Sequence, residues 1–299
     1  MSNLTLPVEL WSLVFGYLHL GHIIKFLATC KYYSKVVRRY ILFRRRHLAA
    51  HFFRNPDRLF RILYASQAVI SGSCALYLLQ PLLTTPWFPH NMDIFVSQDN
   101  RQLLLAALAT DDYQHVVTSP AHIKRRSHSP CHSTITLMCS QQTIHVVMSP
   151  HDSAIFPVYR LHSTLLMNFI THDSLCCSYP QLTLRRASLI NPFLPHDTIL
   201  NRASIDSLLK YRRHGFSYFN CYHIHGHFRC FKHTDRKLND KSCMWVVTKS
   251  APFAPHSRLD TYARLGIVNA HWRLGGELCT TESFANFAPS SVHIDLDSE

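Results

Sequence analysis

Residues 68–96 constrain the fold more than any other part of this sequence. The apolar run at residues 68–70 predicts a short strand, and Gly72 and Ser73 then open a segment with the leucine spacing of a helix. A second apolar run follows Asp93 and predicts another strand. A Gly-Ser turn at the start of a helix offers backbone N–H groups to a phosphate, and a nearby carboxylate can hold a metal ion. The segment therefore predicts an α+β fold with a candidate nucleotide site.

This order of elements resembles the nucleotidyltransferase fold, whose pattern is G-S, a helix, and D-x-D on the next strand. The first carboxylate of that pair is replaced here by Asn91, and the second is Asp93. The resemblance implies that Gly72, Ser73, Asn91 and Asp93 contact a nucleotide. It also implies that Asp93 is the candidate metal ligand and the candidate catalytic residue.

The resemblance implies a third carboxylate on a later hairpin strand. Residues 134–139 and 143–148 alternate as a hairpin does, and the corresponding position is His145. Two-metal catalysis needs several carboxylates, so the loss of two of them indicates damaged chemistry. Three outcomes stay open: an inert fold without cofactor, nucleotide binding without turnover, and magnesium-dependent transfer from a nucleoside triphosphate to a hydroxyl of protein, RNA or a small molecule.

A separate unit occupies residues 4–46. It contains L-P-x-E-L-x-x-x-V-F-x-Y-L from residue 6, a short turn, and F-L-A-T-C-K-Y-Y from residue 26. The apolar spacing predicts three short helices. So few residues bury little surface, which favours a packing partner.

These two motifs resemble an F-box. The resemblance implies docking on the Skp-type adaptor of a cullin ubiquitin ligase, through Leu6, Pro7, Glu9, Leu10 and Val14. The alternative is a plain helical subdomain that packs on the rest of the chain.

Two further segments, residues 162–170 and 179–184, resemble a large group of fungal proteins. That group pairs an occasional F-box with a divergent nucleotidyltransferase-like domain, and the likeness covers roughly residues 60–215. We expect residues 162–170 to form a helix with Leu165, Leu166 and Phe169 facing inward.

Together these patterns predict a domain order. Residues 1–50 would form a small F-box-like helical module, and residues 56–285 a degenerate nucleotidyltransferase-like mixed sheet with helices. Residues 286–299 would form an acidic tail. The expected function is that of an F-box-type interaction protein, the substrate-recognition subunit of a cullin ubiquitin ligase for an unidentified target protein. The alternative is a magnesium-dependent nucleotidyltransferase.

The charge balance favours anionic partners. Lys and Arg number 31 against 18 acidic residues, a formal charge of +13. Nucleic acid, phosphates and acidic proteins all fit this balance, and so does a basic surface without a ligand. A basic run at residues 38–47 is typical of a solvated helix face, with nuclear targeting or phosphate contact as the alternatives.

Cysteine and hydropathy patterns indicate the compartment. The ten cysteines show no small-domain disulfide framework, and no run of about 18 apolar residues predicts a membrane span. We therefore expect a cytoplasmic or nuclear protein without a membrane partner. The His- and Cys-rich residues 221–243 lack a C-x-x-C anchor, so a histidine-rich strand is favoured over a zinc site.

Overall fold

The computed structural model describes residues 6–119, 133–191, 202–219 and 236–248, with residues 265, 270–272, 274 and 292–293. The α-helices are α1 Val8–Gly16, α2 Leu20–Ile23, α3 Lys31–Phe52, α4 Pro56–Ser66, α5 Gly72–Leu79, α6 Arg101–Ala109, α7 Pro180–Thr183 and α8 Arg202–Arg213. Short 3-10 turns cover Ile24–Ala28, Phe156–Arg160 and Thr164–Leu166. The strands are β1 Val69–Ser71, β2 Asn91–Ser97, β3 Gln114–Ser119, β4 Ser133–Cys139, β5 Gln142–Ser149, β6 Asn168–Ile170, β7 Ser174–Cys177, β8 Ala187–Leu189, β9 Ser217–Phe219, β10 Arg236–Lys237, β11 Met244–Val247, β12 His271–Trp272 and β13 Val292–His293.

An eight-stranded mixed sheet forms the centre of the fold, in the order β11-β7-β6-β1-β2-β5-β4-β3. Strand β1 is antiparallel to both β2 and β6, whereas β2 and β5 are parallel. The β4–β5 hairpin has the predicted position. The mixed sheet and the helical N-terminal part confirm the α+β class, and the nucleotidyltransferase-like fold stays a prediction.

The N-terminal helices and the sheet share one hydrophobic core. Phe15 of α1, Val37 of α3 and Ile94 of β2 belong to the same buried cluster. Helix α3 is 22 residues long and also contacts α4, α5 and β5. The predicted domain boundary at residue 50 therefore falls within a continuous helix. Burial of apolar surface joins the two predicted parts.

Arg44 overturns the prediction of a solvated basic face. It is buried, and its guanidinium donates to the carbonyl oxygens of Tyr77 (3.0 Å) and Gln80 (3.2 Å). These carbonyls lie at the end of α5, where a helix leaves acceptors unsatisfied and favours positive charge. The side chain therefore ties α3 to the end of α5.

Arg45 is buried as well, and for it the prediction is also wrong. Its guanidinium donates to the carbonyl oxygens of Thr171 (2.8 Å) and His172 (2.7 Å) and to Thr248 Oγ1. Burial lowers its pKa to about 10, and the carboxylate of Asp173 opposes that shift. A buried charge persists because oxygen acceptors surround it. In contrast, Arg46 is exposed and pairs with Asp57 at 2.9 Å, as a surface residue would.

The helix predicted over residues 162–170 is wrong. The segment forms the 3-10 turn Thr164–Leu166 and then β6, although Leu165, Leu166 and Phe169 are buried as expected. The edge of β1 is filled by β6, with Ile70 paired to Ile170 and the Ser71 hydroxyl donating to the Asn168 carbonyl at 2.6 Å. Strand pairing outweighs the local helical spacing, because an unpaired buried edge would leave backbone groups unsatisfied.

The part of the chain that the structure describes contains no helix that is both long and apolar enough to cross a membrane.

Candidate functional site

Gly72 brings the start of α5 against the carboxylate of Asp93. The chain passes from β1 into α5 with a φ of 66° at Gly72, a left-handed conformation that glycine adopts freely. A Cβ atom at this position would lie 2.4 Å from Asp93 Oδ2. The contact follows from the register, because Ser71 is paired with Asp93 across β1 and β2.

Asn91 and His145 flank the same carboxylate. Asn91 Nδ2 donates to Asp93 Oδ1 at 2.8 Å, since residues two apart on a strand share a face. The parallel register of β2 and β5 places His145 directly beside Asp93, and His145 Nδ1 lies 3.2 Å from Thr136 Oγ1. The structure thus brings together Gly72, Asn91, Asp93 and His145, and their contact with a nucleotide stays a prediction.

Helix α8 covers the first turn of α5, which the sequence did not predict. Ser73 is buried, and its hydroxyl hydrogen-bonds to the buried phenol of Tyr211. Tyr211 packs in a small apolar cluster with Leu76, Leu165, Leu166 and Phe216. The preceding residue, Lys210, acts electrostatically on Asp93. No local pattern in the sequence links α8 to the Gly-Ser turn, because the contact is long-range.

The electrostatics of this site centre on one carboxylate. Burial raises the pKa of Asp93 to about 6, while the Lys210 charge and the Asn91 hydrogen bond oppose the shift. Burial lowers the pKa of His145, which favours its neutral form. At neutral pH the site therefore presents a single negative charge with a lysine nearby.

These residues do not fit a pair of magnesium ions. Asp93 is the only carboxylate that the structure brings to the Gly-Ser turn among the residues it describes, and one of its oxygens already accepts from Asn91. Among the described residues, no three His, Cys, Asp or Glu side chains are placed to hold a metal ion. Two hard cations need more oxygen ligands than this. The candidate zinc residues at 221–233 lie outside the described part of the chain.

A second candidate site is the outer face of α1. Large apolar side chains along this face are 41% to 59% exposed, and we call them the α1 stripe: Leu6, Leu10, Leu13, Val14 and Tyr17. Pro7 and Glu9 are exposed beside them. All five residues that the sequence predicted for partner binding are therefore on the surface. Leu13 and Tyr17 extend the face. The sequence analysis missed them, although their helical spacing relative to Leu10 and Val14 could have identified them.

The inner face of α1 fixes the helix in place. Phe15 is fully buried, and the Trp11 ring meets the Tyr33 ring edge-on at 4.9 Å between centroids. The Tyr32 hydroxyl donates to the Leu6 carbonyl at 2.8 Å, which joins the start of α3 to the start of the stripe. Because the aromatic face is used for packing, the apolar α1 stripe is left without cover by the described chain.

Comparison with protein-family models found no matching family, and searches of curated proteins and of solved structures returned no match.

Proposed function

We propose that this protein is an F-box-type interaction protein that docks on a Skp-type adaptor of a cullin ubiquitin ligase. The observation that carries the proposal is the α1 stripe, in which Leu10, Val14 and their neighbours face solvent on a helix whose other side is packed. A contiguous exposed apolar face is typical of a protein interaction site. Amphipathic helices commonly bind by laying such a face into a partner's groove.

The remainder of the chain would then recognise the target protein. The Gly72–Asp93 site is consistent with this role, because Asp93 supplies one carboxylate where two-metal nucleotide transfer needs several oxygen ligands. The proposed role places the protein in the cytoplasm or nucleus.

Binding to a purified Skp-type adaptor tests the proposal directly. We expect the wild-type chain to bind, and Leu10→Asp combined with Val14→Asp to weaken binding at least about 100-fold, because charges would enter an apolar interface. The matched control is Leu103→Asp with Val116→Asp, since these side chains are similarly exposed but lie on α6 and β3. The free energy of unfolding should change little in both variants, because both pairs face solvent.

Two results would contradict this proposal. One is a wild-type chain that does not bind the adaptor. The other is equal loss of binding in the α1 variant and in the control.

The alternative function is magnesium-dependent nucleotidyl transfer to a hydroxyl. One observation favours it, namely the convergence of Gly72, Asn91 and Asp93 at the start of α5. It requires incorporation of labelled nucleotide that depends on magnesium and disappears in Asp93→Ala. Incorporation that survives this substitution would count against the alternative.

A further inference from the structure

A connected series of aromatic and histidine rings runs from α3 to the end of α8. We call it the aromatic belt: Phe43, His47, His51, Phe88, Trp87 and His214. On α3, the rings of Phe43 and His47 are stacked with their centroids 5.9 Å apart. His47 and His51 both contact the Phe88 ring, at 6.0 Å and 4.7 Å between centroids. The second half of α3 is therefore joined by ring contacts to the loop that precedes β2.

The belt continues from this loop to α8. Trp87 precedes Phe88 in the chain and is stacked on His214 at 4.9 Å between centroids. Buried Tyr77 of α5 contacts both loop rings from the core, at 5.6 Å from Trp87 and 4.9 Å from Phe88. Because Tyr77 is fixed in the core, the rings packed on it are held in place before any ligand binds, which lowers the entropy cost of binding.

The belt is accessible from solvent. Phe43 is 53% exposed, His47 and His51 are exposed, and the other three rings are half-buried. Phe43, His47 and His51 follow one another at intervals of four residues, so they lie along one side of α3. Exposed Arg39 extends the same row by one turn. This side of α3 therefore offers stackable rings and a cation together.

The groups around the belt carry positive charge when protonated. Burial lowers the pKa of His51, and the charges of His90 and His47 lower it further. Burial also lowers the pKa of His214, and Lys210 and His90 add to that shift. The last turn of α8 contains Lys210 and two arginines. These like charges repel one another, so a bound anion would relieve the repulsion.

Stackable rings beside positive charge are the combination with which proteins bind single-stranded nucleic acid. Aromatic and histidine rings stack on unpaired bases, while cations contact the phosphates. We propose that the aromatic belt binds a segment of single-stranded nucleic acid, with bases against the rings and phosphates near Arg39 and the end of α8. This binding would be independent of the proposed docking on a Skp-type adaptor.

Nucleic acid suits the belt better than a membrane or the core of a protein interface. Of the three large apolar rings, only Phe43 is exposed, since Phe88 and Trp87 are half-buried. Little apolar surface is therefore available to bury against lipid or against an apolar protein groove. Stacking makes a smaller demand, because one accessible ring face is enough for a base.

Fluorescence anisotropy of a labelled single-stranded RNA of about 12 nucleotides, titrated with the full-length chain, tests the proposal. We expect a Kd of about 100 µM or tighter at 50 mM salt, weakened at least about tenfold at 200 mM, because phosphate contacts release counterions. Phe43→Ala combined with His47→Ala should weaken binding at least about tenfold through lost stacking. The matched control is Val116→Ala with His115→Ala, which changes one exposed apolar residue and one exposed histidine of β3. It should weaken binding less than about twofold.

The pH dependence of binding tests the histidines. Histidine gains positive charge as pH falls from 8 to 6, and bound phosphate favours the charged form. The affinity of the wild-type chain should therefore rise at least about fivefold over this interval. The triple variant His47→Gln, His51→Gln, His90→Gln should reduce the rise to about twofold or less, whereas His115→Gln should leave it unchanged.

Several results would overturn the proposal. They are a wild-type chain that does not bind RNA at about 100 µM, equal weakening in the Phe43 variant and its β3 control, and equal affinity at pH 6 and pH 8. Polyglutamate of the same net charge that binds as tightly as the RNA would overturn the choice of nucleic acid, because a peptide has no bases to stack. The adaptor takes no part in these titrations, so their failure would leave the F-box-type function standing.

Discussion

At Gly72 the backbone needs a glycine for two independent reasons. Its φ of 66° strains any residue with a Cβ atom, and that atom would also lie 2.4 Å from Asp93 Oδ2. Gly72→Ala should therefore lower the free energy of unfolding by about 2 kcal/mol or more, measured by urea denaturation. Gly215→Ala is the control, because its φ of 86° carries similar strain but its Cβ would meet only Arg186 Nη1 at 3.3 Å. If Gly72→Ala lowers the free energy of unfolding no more than Gly215→Ala does, the close approach to Asp93 is contradicted.

Asp93 links stability to pH. Burial raises its pKa to about 6, so the native protein holds this proton more tightly than the unfolded chain does. Ionising the carboxylate therefore destabilises the fold as pH rises from about 4 through 6. Asp93→Asn removes this cost and should stabilise the protein at pH 8 by about 2 kcal/mol. This figure is smaller than the free energy that the pKa shift alone implies, because the carboxylate is partly exposed to solvent.

The measurement is denaturant unfolding of the wild type and Asp93→Asn at pH 4.5 and pH 8. The stabilisation should be small at the lower pH, because the native carboxyl is then already protonated. Asp99→Asn, which removes the same charge at an exposed position, is the control. A variant less stable than the wild type at pH 8 would instead mean that Asp93 is needed as an anion.

At the scale of elements, α3 holds the fold together through its buried arginines. Arg45→Met keeps much of the aliphatic stem but leaves the carbonyls of Thr171 and His172 without their donor. We expect a loss of about 3 kcal/mol in the free energy of unfolding, typical of removing one partner from a buried charged network. Exposed Arg39→Met on the same helix should cost less than about 0.5 kcal/mol. A similar loss of unfolding free energy in Arg45→Met and Arg39→Met would contradict the role assigned to Arg45.

Elements with strong local signals could be predicted from the sequence. Alternation of apolar and polar residues predicted the β4–β5 hairpin, which the structure confirms. The strand β6 could not be predicted, because its pairing with β1 is decided by a long-range contact. Arg44 and Arg45 were wrongly predicted to be exposed for the same reason, because their carbonyl acceptors come from distant elements.

In the candidate site, too, local features were predictable from the sequence and long-range contacts were not. The resemblance to the nucleotidyltransferase fold named Gly72, Asn91, Asp93 and His145 as one group, and the strand register brings these four residues together. Lys210 and Tyr211 were missed, since nothing in a single sequence indicates that α8 folds over the start of α5. The outer face of α1 was predicted in part, by its motif, and its exposure became visible only in the structure.

For the whole molecule, the shared core predicts cooperative unfolding. Trp11 packs within the N-terminal helices, while Phe169 and Trp245 pack on the sheet. Phe169 and Trp245 belong to a second buried cluster, but their strands β6 and β11 also contribute residues to the cluster that α3 shares with the sheet. Because the two clusters meet in these strands, tryptophan fluorescence of the Trp11→Phe and Trp245→Phe variants should report the same urea midpoint as circular dichroism of the same variant. Within either variant, a fluorescence midpoint that differs from the circular dichroism midpoint by more than its uncertainty would show that residues 1–50 fold as an independent module.

Continuous helix α3 also has a geometric consequence for the proposed ligase role. At 1.5 Å per residue its 22 residues span about 33 Å, and about 20 Å of helix separates Tyr32, which bonds the start of the α1 stripe, from the buried anchor Arg45. An adaptor that binds α1 would therefore hold the sheet at a fixed distance and in a fixed orientation. Only those lysines of a target bound to the sheet that this rigid geometry places near the catalytic part of the ligase could then accept ubiquitin. Selection among ubiquitin acceptor sites would then be a property of helix length.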